Sequence, residues 1–203
     1  MSDQSVAYGP LRIGYDEQVL RPRSWTTLQS RWAAERLAAV PGPALELCCG
    51  AGQIGLLAIS LEPRPLLCVD LSTRACAHTR ANAEAAGLGH LVDVREGRAE
   101  EVLAADERFG LVIADPPWVP SAQTARYPED PLVAIDGGAD GLDVARACLQ
   151  VAARHLLPHG EVLLQLGTRE QAARLAQETT LVARDLREGE RGVVVRLTTP
   201  HAD

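Results

Sequence analysis

The residues best suited to chemistry in this 203-residue chain stand together at Asp115-Pro116-Pro117-Trp118. The apolar run Leu111-Val112-Ile113-Ala114 ahead of them reads as the end of a buried strand. It stops at a carboxylate, then at two prolines that fix φ and carry no N–H, so the ladder cannot continue. A strand end offering one acid, stiff carbonyls and a flat ring can hold a planar group for reaction. A second candidate place is Glu46 and the glycine turn Gly50-Ala51-Gly52. Glycine there lets the backbone approach a ligand, and the N–H groups of the next helix point the same way. A third is Asp70, a carboxylate able to take both hydroxyls of a ribose.

Such groups need a scaffold that gathers strand ends, and the chain reads as one. Strands are expected at 44–48, 65–70, 91–96, 111–114 and 161–166, with helices at 24–40, 53–61, 73–86, 140–157 and 170–178. Residues 182–186 and 192–198 read as a closing hairpin, and 119–138 as loop. Ser24 is a candidate cap for the first helix, whose apolar face would carry Leu28, Trp32 and Leu37. A short strand pair is expected around Leu11 to Leu20. Strands alternating with helices imply βαβ units and a parallel sheet covered on both faces, with ligands beyond the carboxyl ends of its strands.

Composition narrows the classes. Apolar residues make up 46% of the chain, enough for a globular core. The net charge of −7 opposes a duplex nucleic acid partner, and 3% aromatics is poor material for a base-stacking surface. All 20 basic residues are arginine, which excludes Schiff-base chemistry and a P-loop lysine. The five cysteines lie in apolar runs without CxxC spacing or a His placed to complete an obvious zinc site, so reduced thiols and a cytoplasmic location are expected. The first residues lack the basic-then-apolar pattern of a signal peptide, and no apolar run approaches the roughly 20 residues of a membrane span.

Gly50, Gly52 and Gly55 match G-x-G-x-x-G, so a nicotinamide-dependent oxidoreductase is one reading. Glu46 points elsewhere, since a carboxylate four residues before the first glycine suits an ammonium rather than a pyrophosphate. Glu46-Leu-Cys-Cys-Gly-Ala-Gly, Asp70, Asp115-Pro-Pro-Trp and the final hairpin resemble a class I S-adenosylmethionine (AdoMet) methyltransferase. Val19-Leu20-Arg21-Pro22-Arg23 with Trp25-Thr26 is similar to the IPRPxTE segment of HemK-type glutamine methyltransferases, which modify release factors. The segment from Pro131 to Asp143 resembles the loop that follows their NPPY motif, with Asp115 in place of the family's Asn.

This resemblance implies a Rossmann-like, doubly wound α/β fold whose seven-stranded, mostly parallel sheet ends in an antiparallel strand. Residues 41–203 would be the AdoMet-binding domain, with 1–40 an N-terminal extension and helix on the substrate side. S-adenosyl-L-methionine would be held by Glu46 through its ammonium and by the Gly50–Gly52 turn. Asp70 would take the ribose, with Cys48, Leu71, Ala99 and Asp115 as further contacts. Asp115 and the Pro116 carbonyl would accept hydrogen bonds from a planar –NH₂, and Trp118 would pack against it. An ionised Asp only accepts, so exocyclic amines stand beside a protein glutamine amide as acceptors. A protein or small molecule fits better than nucleic acid, and an AdoMet-binding partner subunit without turnover is a further alternative. Arg21, Arg23 and Trp25 would close over the active site as a lid, line the substrate pocket or dock the first helix. Cys48 and Cys49 read as small fillers, Asp136 and Asp140 as loop-shaping and capping groups, and His78 and His90 as surface residues.

Overall fold

The computed structural model describes residues 4–200. The chain opens with an antiparallel hairpin, β1 (Gln4–Tyr8) and β2 (Leu11–Tyr15), and continues through a 3₁₀ turn, Ser24–Thr26, into α1 (Thr27–Leu37). Then follow β3 (Ala44–Leu47), α2 (Gln53–Leu61), β4 (Leu66–Asp70), α3 (Thr73–Ala85), β5 (Val92–Glu96), the short α4 (Ala99–Val102) and β6 (Phe109–Ala114). The remainder comprises α5 (Leu132–Ile135), α6 (Asp143–His155), β7 (Leu156–Leu166), α7 (Arg169–Glu178), β8 (Val182–Glu188) and β9 (Val193–Thr198).

Seven strands form one sheet in the order β5-β4-β3-β6-β7-β9-β8. All neighbours pair in parallel except β9, the last strand, which opposes both β7 and β8. The chain winds from β3 outward through β4 to β5, then returns to β6 on the other side of β3. That reversal opens a crevice at the carboxyl ends of β3 and β6, where doubly wound sheets take their ligands.

Side-chain alternation along the strands divides the interior into two cores. Leu66, Cys68, Leu111 and Ile113 pack with the hairpin, α1, α2 and α3; Leu45, Leu47, Val112 and Ala114 pack with α6 and α7. Glu46 takes its place on the first face, beneath α2. Carried one residue past Ala114, the same alternation turns Asp115 toward α1 and the hairpin.

Local details depart from the sequence reading for identifiable reasons. The hairpin lies nearer the start of the chain than expected, turning at Gly9 with φ +58°. Ser24 is exposed and caps nothing, because the 3₁₀ turn precedes the α-helix. The buried face of α1 carries Gln29 and Ser30 beside Trp32, Ala33 and Leu37, while Leu28 is only half-buried. β7 begins directly at Leu156 and keeps pairing across an irregularity opposite Phe109–Leu111, so Pro158 and Gly160 do not end it. His78 is buried with its Nε2 3.3 Å from Asp16 Oδ2, in a cluster with Arg74 that fastens the end of the hairpin to α3. His90 is exposed, as expected. All five cysteines are free thiols. No described helix is long and apolar enough to cross a membrane.

Candidate active site

The turn after β3 is built to lie flat. Cys48, Gly50 and Gly52 all adopt positive φ (57°, 56° and 78°), which folds the chain tightly before α2 begins. A Cβ on Gly50 would meet nothing within 4 Å, so this edge of the turn faces open space. Asp70 supports it from the next strand, accepting the Gly50 N–H at 2.9 Å with Oδ2 and the Ser72 N–H at 2.9 Å with Oδ1. Burial raises the Asp70 carboxyl above its ordinary range even so. Thr79 and Asn82 of α3 hold the turn from the other side, donating to the carbonyls of Gly50 and Ala51 at 2.9 Å each. Leu71 stands 60% exposed just past Asp70. Ala99 opens α4 nearby, where the Gly97 N–H donates to the Asp70 carbonyl at 2.9 Å. Gly50, Gly52, Asp70, Leu71 and Ala99 therefore share one edge of the sheet. Glu100 and Glu101 are exposed and pair only with Arg98.

Glu46 differs from expectation. Its carboxylate does not project from the strand end toward a ligand ammonium but lies 2% exposed under α2. There it accepts the Gly55 N–H at 3.1 Å, and the Cys68 thiol donates to its other oxygen at 3.5 Å. Burial first, opposed by the Gly55 and Cys68 bonds and reinforced by the charges of Asp115 and Asp70, pushes it up to about 8. A Cβ on Gly55 would collide with Glu46 Oε2, so the third glycine of G-x-G-x-x-G makes room for this acid. Cys48 turns its thiol toward Cys148 of α6, 3.9 Å away, and Cys49 is fully packed.

Asp115 has a different character. It is half-buried, and its carboxylate accepts no hydrogen bond from any described residue. Burial pushes it up to about 7. It opens onto a cavity of about 450 Å³, within the usual size of small-ligand pockets, whose floor includes Pro116 and Trp118. The Trp118 ring lies on Gly167 at the end of β7, where a Cβ would strike the ring carbons, and its carbonyl accepts from Gln171 at 2.9 Å.

The Gly137-Gly138 segment locks onto this turn by backbone hydrogen bonds. The Val119 N–H donates to the Ile135 carbonyl, and the Gly137 N–H donates to the Val119 carbonyl, both at 2.9 Å. A Cβ on Gly137 would meet the Pro117 carbonyl, and one on Gly141 the Trp118 carbonyl. The two motifs are thus halves of one substructure. Asp136 shapes it by accepting from Ser121 and from the Gly138 N–H, while Asp140 accepts from the Leu142 N–H and pairs with Arg146 instead of capping α6 directly.

The other walls come from distant segments. Arg23, Trp25 and Thr26 of the N-terminal arm line the cavity, whereas Arg21 is exposed outside it. Arg23 reaches Asp130 at 2.5 Å, and the guanidinium groups of Arg23 and Arg191 lie 5.6 and 5.5 Å from the centre of the Trp25 ring. Arg191 sits in the β8–β9 turn. Its part, and that of Asp130, had no signal in the sequence beyond isolated charge. Among the cofactor residues expected from sequence, only Asp115 borders this cavity; it follows Ala114, which pairs with Leu47 at the end of β3 just before the glycine turn.

The family described as RMKL-like, methyltransferase domain, matches residues 56–132, a stretch that runs from α2 through the Asp115 turn. A release factor glutamine methyltransferase of Deinococcus radiodurans is 35% identical over 179 residues, covering 85% of this chain and 63% of that protein. A ribosomal protein uL3 glutamine methyltransferase of Bradyrhizobium diazoefficiens is 33% identical over 166 residues, covering 75% of this chain and 52% of that protein. Over most of its length the chain is similar to glutamine methyltransferases of the HemK type. The chain spans 63% and 52% of the lengths of those two relatives. Its fold is that of solved class I methyltransferases. The hMettl16 catalytic domain in complex with a MAT2A 3'UTR hairpin gives a TM-score of 0.74 over 95% of this chain and 77% of that one, at 15% identity. The ribosomal protein L11 methylase of Lactobacillus delbrueckii subsp. bulgaricus gives 0.68 over 92% and 84%, also at 15% identity.

Proposed function

We propose that this domain transfers a methyl group from AdoMet to a planar nitrogen, the side-chain amide of a protein glutamine. The carrying observation is Asp115: a carboxylate that accepts no hydrogen bond among the described residues, at the switch point of the sheet, opening onto a cavity lined by Pro116 and Trp118. The named activities of the two glutamine methyltransferase relatives support the choice of acceptor. An acceptor in the translation machinery, together with five free thiols, fits the cytoplasm.

The residues at the glycine-turn edge fit AdoMet. Gly50 leaves its Cβ direction empty, and Asp70 has lone pairs to spare for ribose hydroxyls. Leu71 and Ala99 would flank the adenine, and Cys48 the methionine side. Glu46 acts from below, holding α2 and the turn in place. AdoMet supplies an electrophilic methyl on a sulfonium when bound.

The rest is the chain's own work. An amide or exocyclic nitrogen is a weak nucleophile because its lone pair is delocalised. Asp115 and the Pro116 carbonyl would accept its two N–H bonds, which localises the lone pair toward the methyl. As the nitrogen–carbon bond formed, the carbon–sulfur bond would break to release S-adenosylhomocysteine, and ionised Asp115 would take the proton that the nitrogen loses. Trp118, held flat on Gly167, packs against the planar group and sets its angle. Attack would be in line, so holding the nitrogen in the right direction would carry much of the rate, for which about 7–11 kcal/mol is available in well-aligned systems.

The test is direct. Incubated with labelled AdoMet, the protein should place label in a release factor or in ribosomal protein uL3, at a glutamine. An exocyclic amine is the second reading, favoured by Asp115, which when ionised accepts and cannot donate. Label in RNA or in small molecules would move the acceptor to that class. Binding of NADH in preference to AdoMet by calorimetry would overturn both readings.

A further inference from the structure

The face that α1 turns to the sheet is unusual for a buried helix face. Thr26, at its N-cap, with Gln29 and Ser30 in its first turn, is buried together with them at 3%, 0% and 0% exposure. Apolar residues normally occupy such positions. The hydroxyls are bonded: Tyr8 meets Thr26 Oγ1 at 2.8 Å and Ser30 Oγ at 3.2 Å. Gln29 reaches into the sheet itself. Its Nε2 donates to the Ala114 carbonyl at 2.9 Å and to the Leu163 carbonyl at 3.0 Å. These are strand carbonyls of β6 and β7, and Ala114 is the last residue of β6, immediately before Asp115. The Gln29 Oε1 is buried with no partner. A buried amide oxygen left unpaired is costly, and an apolar side chain of the same length would avoid that cost while losing the two donated bonds.

We propose that Gln29 is a positioning residue for methyl transfer. It stitches the end of β6, at Ala114, to β7 at Leu163 from the α1 side and so fixes the backbone from which Asp115 and Pro116 project. The orphaned oxygen is retained because the two donated hydrogen bonds set the position of the reacting turn. Gln29 is fully buried, so it acts through the backbone and not by touching cofactor or acceptor. The inference rests on the methyl-transfer reading above.

Two variants test it. Gln29→Met keeps the length and removes both donors; Gln29→Glu, neutral when buried, keeps one O–H donor. AdoMet affinity by calorimetry should stay within about twofold of the parent for both. The turnover rate should fall by about ten- to a hundredfold in Gln29→Met, the size expected for displacing a reacting group by an ångström, with Gln29→Glu in between. A general loosening of the fold would instead weaken AdoMet binding in parallel, and that result overturns the proposal.

A second readout is independent of turnover. With fluorotryptophan incorporated, Gln29→Met should shift the ¹⁹F resonance of Trp118, at the turn, more than that of Trp32, one turn along α1. Shifts of Trp32 alone, or of neither, overturn the assignment. If the parent protein binds AdoMet but methylates nothing, the functional reading fails, while the fluorine spectra still decide the role of Gln29.

Discussion

Gly55 donates its N–H to Glu46 Oε1 at 3.1 Å, and any side chain at residue 55 would collide with the other oxygen of the same carboxylate. The pair joins β3 to α2 directly beneath the turn that faces the cofactor edge. An acid at the end of a strand thus does its work under the floor of the site. Because its partners are an N–H and a thiol rather than a cation, burial dominates and the carboxyl is pushed up to about 8.

The pH dependence of stability follows in sign. Below about pH 4.5 Glu46 is protonated in both the folded and the unfolded chain. Between there and about 8 the unfolded chain releases the proton while the folded one keeps it, so stability falls as pH rises through this window. Glu46→Gln should flatten that fall, giving a melting temperature a few degrees (about 2–8 °C) above the parent at the alkaline end and little change near pH 5. Thermal melts from pH 5 to 8.5 check this. Gly55→Ala should cost roughly 1–3 kcal/mol, and less when Glu46 is also shortened to Ala.

Asp115 should govern turnover more than binding. Asp115→Ala should lower kcat by about a hundredfold or more with AdoMet affinity nearly unchanged. Asn keeps one acceptor oxygen, so Asp115→Asn should retain part of the activity. Only the ionised acid accepts freely, and burial pushes Asp115 up to about 7, so the rate in the parent should rise with pH through about 7. In Asp115→Asn that rise should disappear. Rate–pH profiles of the two proteins measure the difference.

Asp70 should show the opposite division. Asp70→Ala removes the acceptor for the Gly50 and Ser72 N–H groups, loosening the turn as well as the ribose contact. AdoMet affinity should fall by about tenfold or more by calorimetry. At saturating AdoMet, kcat should change much less.

The Arg23–Asp130 pair should act on the acceptor. Its side chains are 31% and 16% exposed, so solvent screens the attraction and a double-mutant cycle should give a coupling of about 0.5–1 kcal/mol. Arg23→Ala and Asp130→Ala should each raise the KM for the acceptor without altering AdoMet affinity. The coupling should shrink in about 1 M salt.

The strand ends bearing Asp70 and Asp115 were legible because an apolar run halted by a single acid is the pattern of a buried strand reaching the edge of its sheet, and the alternation of strands and helices set the sheet. Glu46 was legible as a special acid but not in its direction, since pleat alternation assigns a face only once the helix above it is placed. His78 looked like a surface residue because its partner, Asp16, lies in a hairpin outside the βαβ pattern. Gln29 was invisible for a related reason: a polar residue on a helix reads as solvent-facing unless the carbonyls it serves are known. The cavity walls were hardest. Arg23, Asp130 and Arg191 meet only because the fold brings three remote loops together.

The division of labour between those loops and the sheet has an evolutionary consequence. Everything at the glycine-turn edge is anchored by strands and by α3, whereas the pocket around Asp115 is walled largely by an arm, a surface loop and a hairpin tip. Residues in such loops tolerate exchange with little penalty to the interior. A lineage built on this plan can acquire a new methyl acceptor by rewriting its rim, keeping the donor half unaltered.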